Sequence, residues 1–497
     1  MVLMASQAGA VIKLRWDYSW KTNDARSWGY GIAKDPEGDF YIVGSQLYNE
    51  VVGDRYQGIL MKISGFYQYP LWTRTINGTG ASIYEDSFKA VAADPRGFGA
   101  VAGGSIWSVA KNAPQAVLAY YWLTGTTAWF ALPDANSVEG VALSGTNWIF
   151  AAGIRQGGAG NATDIWVAKY GYDGTEQTPY VYANPFNVEN GALAIAVDAA
   201  GFVYVAGYRT ITAPSSQGKN IWLGKFDPAS LNLLWEVNLD GPVSSTDYAS
   251  GLAIGPSGEI YLSGAVTRSS TYYQENLDLW IGRIDDTGAS RVLSWSWSID
   301  GGERDNDSAW GVAVSQDGYL WATGSLDTPG SHWADLWLGK FTTSGMMVDS
   351  WVKDYSGSGD DIGRGLVLDA MGPVVCGVTT DIMTREGIYI AQFREWFPAP
   401  SLPPDFISAY PNPFRPGSGG LNDAREIVIR SLPSGCVVRF YTLSGVQVRQ
   451  ITDWDKDGKI SWDAKNDSGK DVGSGVYIFA ATAPGSGTKK GKVVIIR

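Results

Sequence analysis

The sequence predicts an all-β chain in two parts, a long repeat array followed by a small β-sandwich, and three observations carry that expectation. A motif recurs seven times between residues 29 and 377, running from a small residue and an alternating apolar stretch, through a Gly-containing turn, to an aromatic-apolar run ending in Gly. The 497 residues include 22 Trp, 26 Tyr, 16 Phe and 62 Gly with only 18% charged residues, a composition that favours strands and tight turns over helices. A Pro-rich joint, WFPAPSLPPDF from Trp396, then separates the array from segments of different landmarks.

Taken in order, the copies close at Gly44, Gly103, Gly153, Gly207, Gly264, Gly324 and Gly377, at spacings of 59, 50, 54, 57, 60 and 53 residues. Such spacing marks one supersecondary unit repeated as an array. Each copy supplies two strands. A third reads DIWVAKY from Asp164, NIWLGKF from Asn220, DLWIGRI from Asp278 and DLWLGKF from Asp335, with weaker versions from Gly58, Ala116 and Gly387. A turn and a Trp-bearing fourth strand follow, as in PLWTRTI, LLWEVNL and SWSWSID. Four short strands repeated radially describe the blade of a β-propeller. The chain enters on VIKLRWDYSW, which matches a fourth strand, whereas the last copy stops after its third, GIYIAQFREW. The N-terminal strand is therefore expected to complete the last of seven blades and leave no open edge. The expected divisions are an apolar segment 1–10, a propeller 11–396, a linker 397–404 and a sandwich 405–497.

These units resemble the seven-bladed propeller repeats of bacterial exported proteins. The copies at 247–288 and 307–345 are similar over nearly the whole unit, and those at 86–130 and 360–395 are degenerate. The resemblance implies fold and export but no common activity. In the C-terminal part, EIVIRSL, CVVRFYTL, VQVRQI, KISWDA, GVYIFAAT and KVVIIR alternate apolar and polar residues, as the strands of a small sandwich do. YPNPFRP at Tyr410, YTLSGVQVR at Tyr441 and WDAKNDSGKDVGSGVYIF at Trp462 are similar to the immunoglobulin-like domain of flagellar hook-capping proteins. They are equally similar to the C-terminal sorting domains of type IX secretion. Either resemblance implies an exported, surface-associated protein.

Charge divides with the domains. From Ser401 onward 13 Lys and Arg accompany 9 Asp and Glu, while 25 face 41 before it, so the parts carry about +4 and −16 of the net −12. An acidic array excludes a nucleic-acid surface, which needs clustered cations. Opposite signs instead suit contact between one molecule's tail and the next molecule's array. No run of residues is apolar enough for a membrane-spanning helix. The start, MVLMASQAGAVIKLRW, lacks the basic residues and apolar core of a signal peptide. Cys376 and Cys436 are expected as separate buried thiols.

Residues with possible chemistry read mainly as structure. The lone His332 cannot build a His-based zinc site, and no nucleophile motif accompanies it. Asp86, Asp247, Asp307 and Asp361, with Asn136 and Asn190, precede the first strand of most blades, where Asx side chains bind turn amides. Glu303, Asp305, Asp360 and Asp361 are loop acids of the kind a propeller glycosidase would converge in its funnel. SQDGYLW at Ser315 only approaches a sialidase turn. Trp166, Trp222, Trp280 and Trp337 are expected as core between blades. Asp453, Asp455 and Asp457 with Gly458 imitate a calcium loop, but Ala464 stands where its bidentate Glu belongs, and a hairpin turn on Asp457-Gly458 is the plainer reading. No cofactor is expected, Ca2+ being the sole candidate. The function expected is that of a non-enzymatic extracellular structural protein, a self-assembling subunit whose partners are copies of itself or cell-surface proteins. The alternative is a glycan-binding or adhesion propeller, using Tyr272, Tyr273 and Trp333, and a hydrolase or lyase in the funnel is the third reading.

Overall fold

The computed structural model describes residues 11–20, 26–49, 55–78, 86–145, 148–157, 162–183, 186, 188–212, 218–271, 274–302, 306–327, 333–353, 359–380, 386–396, 408–416, 426–430, 432, 435–454, 458–483 and 486–497. Among them every regular element is a strand. They fall into two compact units, one within Ala10–Trp396 and one within Phe397–Arg497.

In the first unit the described strands form seven four-stranded antiparallel sheets. Six of them take four strands in chain order, beginning at the inner strands Ser27–Lys34, Ser87–Ala93, Ser137–Ser144, Asn190–Val197, Tyr248–Ile254 and Ser308–Val314. The seventh runs Ile362–Asp369, Gly372–Thr380 and Glu386–Trp396, and its outer strand is Val11–Trp20 from the far end of the unit. Val11 pairs with Trp396 and Trp20 with Ile388, with a register shift between Leu14 and Trp16. The shift explains how VIKLRWDYSW serves two neighbours, because one extra residue exchanges the faces of a strand. Before it Ile12 packs against sheet six; after it Trp16, Tyr18 and Trp20 pack against sheet one.

Packing follows the same circuit. Seven hydrophobic clusters each join facing side chains of two successive sheets. The cluster between the last sheet and the first combines Val374, Cys376, Ile388 and Ile390 with Ile32, Phe40, Ile42 and Ile59, and the inner strands Ile362–Asp369 and Ser27–Lys34 lie side by side. Middle strands are thus covered on both faces, which is why FYIVG or IYLSG reads as an unbroken apolar run. Outer strands are covered on one face and alternate.

Tryptophan ties the sheets together twice. Trp166, Trp222, Trp280 and Trp337 of the third strands are buried in these clusters. Outer-strand tryptophans reach onto the next sheet instead: the indole N–H of Trp72 donates to the Leu123 carbonyl (2.9 Å), that of Trp129 to Tyr172 (2.9 Å) and that of Trp295 to Thr343 (3.0 Å). Each receiving turn carries a Gly against the ring. At Gly125, with φ +80, a Cβ would come within 2.8 Å of Trp72.

The second unit has a three-stranded sheet, Ser408–Tyr410, Ile427–Arg430 and Ile460–Trp462, and a four-stranded sheet ordered Gln447–Thr452, Val437–Thr442, Gly475–Ala483 and Ser486–Ile495. Its core holds Phe440, Trp462 and Phe479, with the first two rings stacked at 4.1 Å. Cys376 and Cys436 are buried free thiols in separate units.

Candidate functional site

All seven inner strands break register at the same point. The shifts fall at Gly29/Gly31, Phe88/Ala90, Val138/Gly140, Ala192/Ala194, Ala249/Gly251, Ala309/Gly311 and Gly363/Gly365. A bulge releases its extra residue from the ladder and re-aims its side chain. The released residues are Tyr30, Lys89, Glu139, Leu193, Ser250, Trp310 and Arg364, and together they line one cavity of about 300 Å³.

The closing glycine of the repeat is what permits this bulge. At Gly44, Gly104, Gly153, Gly207, Gly264, Gly324 and Gly377 an added Cβ would lie only 1.8–2.0 Å from an inner-strand carbonyl oxygen beside the bulge. In the second copy the structure gives this place to Gly104, which pairs with Phe88, and not to Gly103, the glycine expected from the sequence. The Gly103-Gly104 doublet made the two indistinguishable until the register was known.

The lining divides into two halves. The Lys89 ammonium lies 2.6 Å from Glu139 Oε1, which also accepts a hydrogen bond from Ser137 Oγ at 2.6 Å. Opposite in character, the Arg364 guanidinium sits 4.0 Å from the Trp310 ring centre and 5.9 Å from that of Tyr30. Ser250 Oγ donates to the Ala309 carbonyl at 2.8 Å. The Trp310 indole N–H is buried with no acceptor among the described residues. Tyr248 stands behind Trp310, its phenol pushed up by burial. Two cations and one carboxylate give the described lining a net positive charge inside an acidic array.

The recurrent Asx residues do other work. In Asp86, Asp247 and Asp307 one carboxylate oxygen accepts an amide of the preceding loop, from Gly78, Gly241 and Gly301, each at 2.6 Å. The other accepts the amide of Trp107 (2.6 Å), Thr267 (2.8 Å) or Asp327 (2.7 Å) at the end of the second strand. Asn136 and Asn190 accept the matching amides of Gln156 (2.7 Å) and Thr210 (3.1 Å). Asp361 accepts that of Thr380 (3.2 Å) and pairs with Lys353 (3.2 Å). Burial, with Asp327 and Asp278 nearby, pushes Asp307 up to about 6 against its two amide donors. Asp360 accepts the Ala334 amide at 3.1 Å. Glu303, Asp305, His332, Tyr272 and Tyr273 lie outside the described residues; Trp333 is exposed.

Of the calcium-like string, Asp453 is described. Its Oδ2 accepts the amides of Gly435 (2.9 Å) and Gly458 (3.2 Å), so it clamps a turn, while its buried Oδ1 has no donor among the described residues. Asp455 and Asp457 lie outside the described residues. Asp35, Glu37 and Asp39 also cluster, but the Lys62 ammonium already stands 2.9 Å from Asp35 and 3.2 Å from Asp39. The described bonds of Asp453 are thus those of a turn, and the carboxylates of Asp35 and Asp39 are paired with Lys62.

Repeated four-stranded sheets around a lined cavity define the class of this protein as a β-propeller. No protein-family model matches the sequence, and no curated protein does. Among solved structures the chain is similar to PorZ, a surface component of the type-IX secretion system of Porphyromonas gingivalis, at 14% identity and TM-score 0.28, covering 94% of this chain and 81% of that one. It is similar to the β-propeller domain of the Trilobed protease of Pyrococcus furiosus at 8% identity and TM-score 0.43, covering 74% and 95%. The Dos1 propeller matches at 10% identity and TM-score 0.41, covering 93% and 96%. Likenesses this distant do not assign an activity.

Sequence reasoning passed over all seven lining residues. Their signal was present: each stands just before a repeated small residue, Gly31, Ala90, Gly140, Ala194, Gly251, Gly311 or Gly365, and varies in chemistry where its neighbours do not.

Proposed function

We propose that this protein is a seven-bladed propeller closed by its N-terminal strand and joined to an immunoglobulin-like module, and that it serves at the cell exterior as a non-enzymatic subunit assembling head to tail. The observation that carries this reading is an apolar edge. First-to-second and third-to-fourth strand turns emerge at one edge of an antiparallel sheet. There Phe66 and Tyr67, 82% and 65% exposed, meet edge to face at 4.8 Å, and Tyr69 follows. The Trp72 bond to Leu123 sets this turn beside the next sheet's, where Phe98 and Trp122 are also exposed. Grouped exposed aromatics mark a binding surface, whereas scattered ones do not. The charge division supplies complementarity between unlike ends, and heterologous contacts that do not close build filaments. Export rests on the resemblance of the repeats and of the C-terminal landmarks.

A glycan-binding role would draw on the same aromatics, with Trp333. Against a hydrolase in the funnel, the described residues of the cavity lining present one carboxylate, Glu139, already engaged by Lys89 and Ser137, where glycoside hydrolysis takes two. Sedimentation velocity of the full chain and of its Phe66→Ser/Tyr67→Ser variant tests the proposal. Concentration-dependent growth that the variant loses is expected. Equal behaviour of the two chains would refute it, and binding to a glycan array by a strictly monomeric chain would favour the second role.

A further inference from the structure

We propose that the cavity ringed by the inner-strand bulges is a binding site for a small organic anion, a carboxylate carried on a flat apolar body, independent of any assembly. Structural residues repeat around this ring, but the bulge residues do not, so their variety answers to something other than the fold. The cavity, at about 300 Å³, lies at the small end of ligand sites. Its net charge is opposite to that of the surrounding array, which makes an anion the species that the channel concentrates.

Two groups specify the carboxylate. The guanidinium of Arg364 is held over the face of Trp310, 4.0 Å from its ring centre, which fixes a cation at the cavity wall. The Trp310 N–H, buried and lacking an acceptor among the described residues, is a second donor of the lining whose desolvation nothing yet repays. One oxyanion satisfies both, by a charge-assisted bond from Arg364 and a neutral one from Trp310. The rest of the lining favours a flat, apolar body: Leu193 and the Tyr30 ring offer apolar surface, and Ser250 keeps lone pairs beyond the proton given to Ala309. Glu139 opposes an anion, and its bond to Lys89 is what keeps the ring permissive.

The test uses 4-fluorobenzoate as the probe, followed by fluorine NMR on the full chain, with benzoate and benzamide as competitors. Saturable binding displaced by benzoate and not by benzamide is expected, at an affinity of roughly millimolar or better. Arg364→Met should weaken it at least about tenfold and Trp310→Phe, which keeps the ring and deletes the N–H, by a smaller factor. Glu139→Gln should tighten it, a gain that a misfolded variant cannot mimic. Absence of saturation, equal displacement by benzamide, or unchanged affinity in Arg364→Met with no gain in Glu139→Gln would overturn the proposal.

Discussion

Replacing Gly264 by Ala probes the link between the repeat signature and the channel. A Cβ there would stand 1.9 Å from the Tyr248 carbonyl oxygen and 2.9 Å from Ala249 Cα, both backbone atoms. Carbon and carbonyl oxygen ordinarily stay about 3.3 Å apart or more, so the two strands must separate by more than about 1 Å. No rotamer relieves this clash. Opening the bulge forfeits about two ladder hydrogen bonds at ~1 kcal/mol each and adds an overpacking cost of ~1–3 kcal/mol, giving about 3–5 kcal/mol in all. Gly318→Ala is the control: its φ is +83, but nothing lies within 4 Å of the new Cβ, so strain alone costs about 1–2 kcal/mol. Urea denaturation followed by tryptophan fluorescence compares them. A loss in Gly264→Ala no greater than that in Gly318→Ala would refute the steric origin of the closing glycine.

Three further outcomes are expected. Asp307 has a folded value of about 6 against an ordinary 3.8, so its proton stabilises the fold at low pH and that contribution is lost as pH rises from about 4 through 6, by up to about 3 kcal/mol. Asp307→Asn, the residue type already used at Asn190, should flatten this part of the melting temperature–pH curve relative to the parent chain, and an unchanged slope would contradict the assignment. Trp222→Ala empties an inter-sheet core and should cost about 3–5 kcal/mol by chemical denaturation, whereas Trp454→Ala, at an 85% exposed ring, should cost under about 0.5 kcal/mol. Removing residues 1–20 leaves Glu386–Trp396 without its outer partner, and light scattering should then show aggregation that the full chain lacks.

The parts of this fold legible in the sequence are those enforced by period. Middle strands buried on both faces recur in every copy because every sheet meets its neighbour in the same way, while the Asx residues that bridge loop and strand recur in six copies and the third-strand tryptophans in four. The bulges were illegible, since one extra residue in a strand reads as an ordinary alternation until its partner strand is known. Gly104 escaped for the same reason, and with it went the channel lining. The aromatic turn Phe66–Tyr69 was also missed: an exposed ring and a buried one look alike in an apolar-rich sequence, and only packing separates them. At Asp453 the acid spacing imitates a calcium loop but reads more plainly as a turn, and one of its oxygens accepts two turn amides.

Negative-stain microscopy of the concentrated full chain tests the assembly most directly. Ring-shaped particles joined in one direction into filaments or ordered layers, dispersing as salt screens the unlike charges of propeller and C-terminal module, are expected. Single particles that stay separate at every concentration and ionic strength would contradict it.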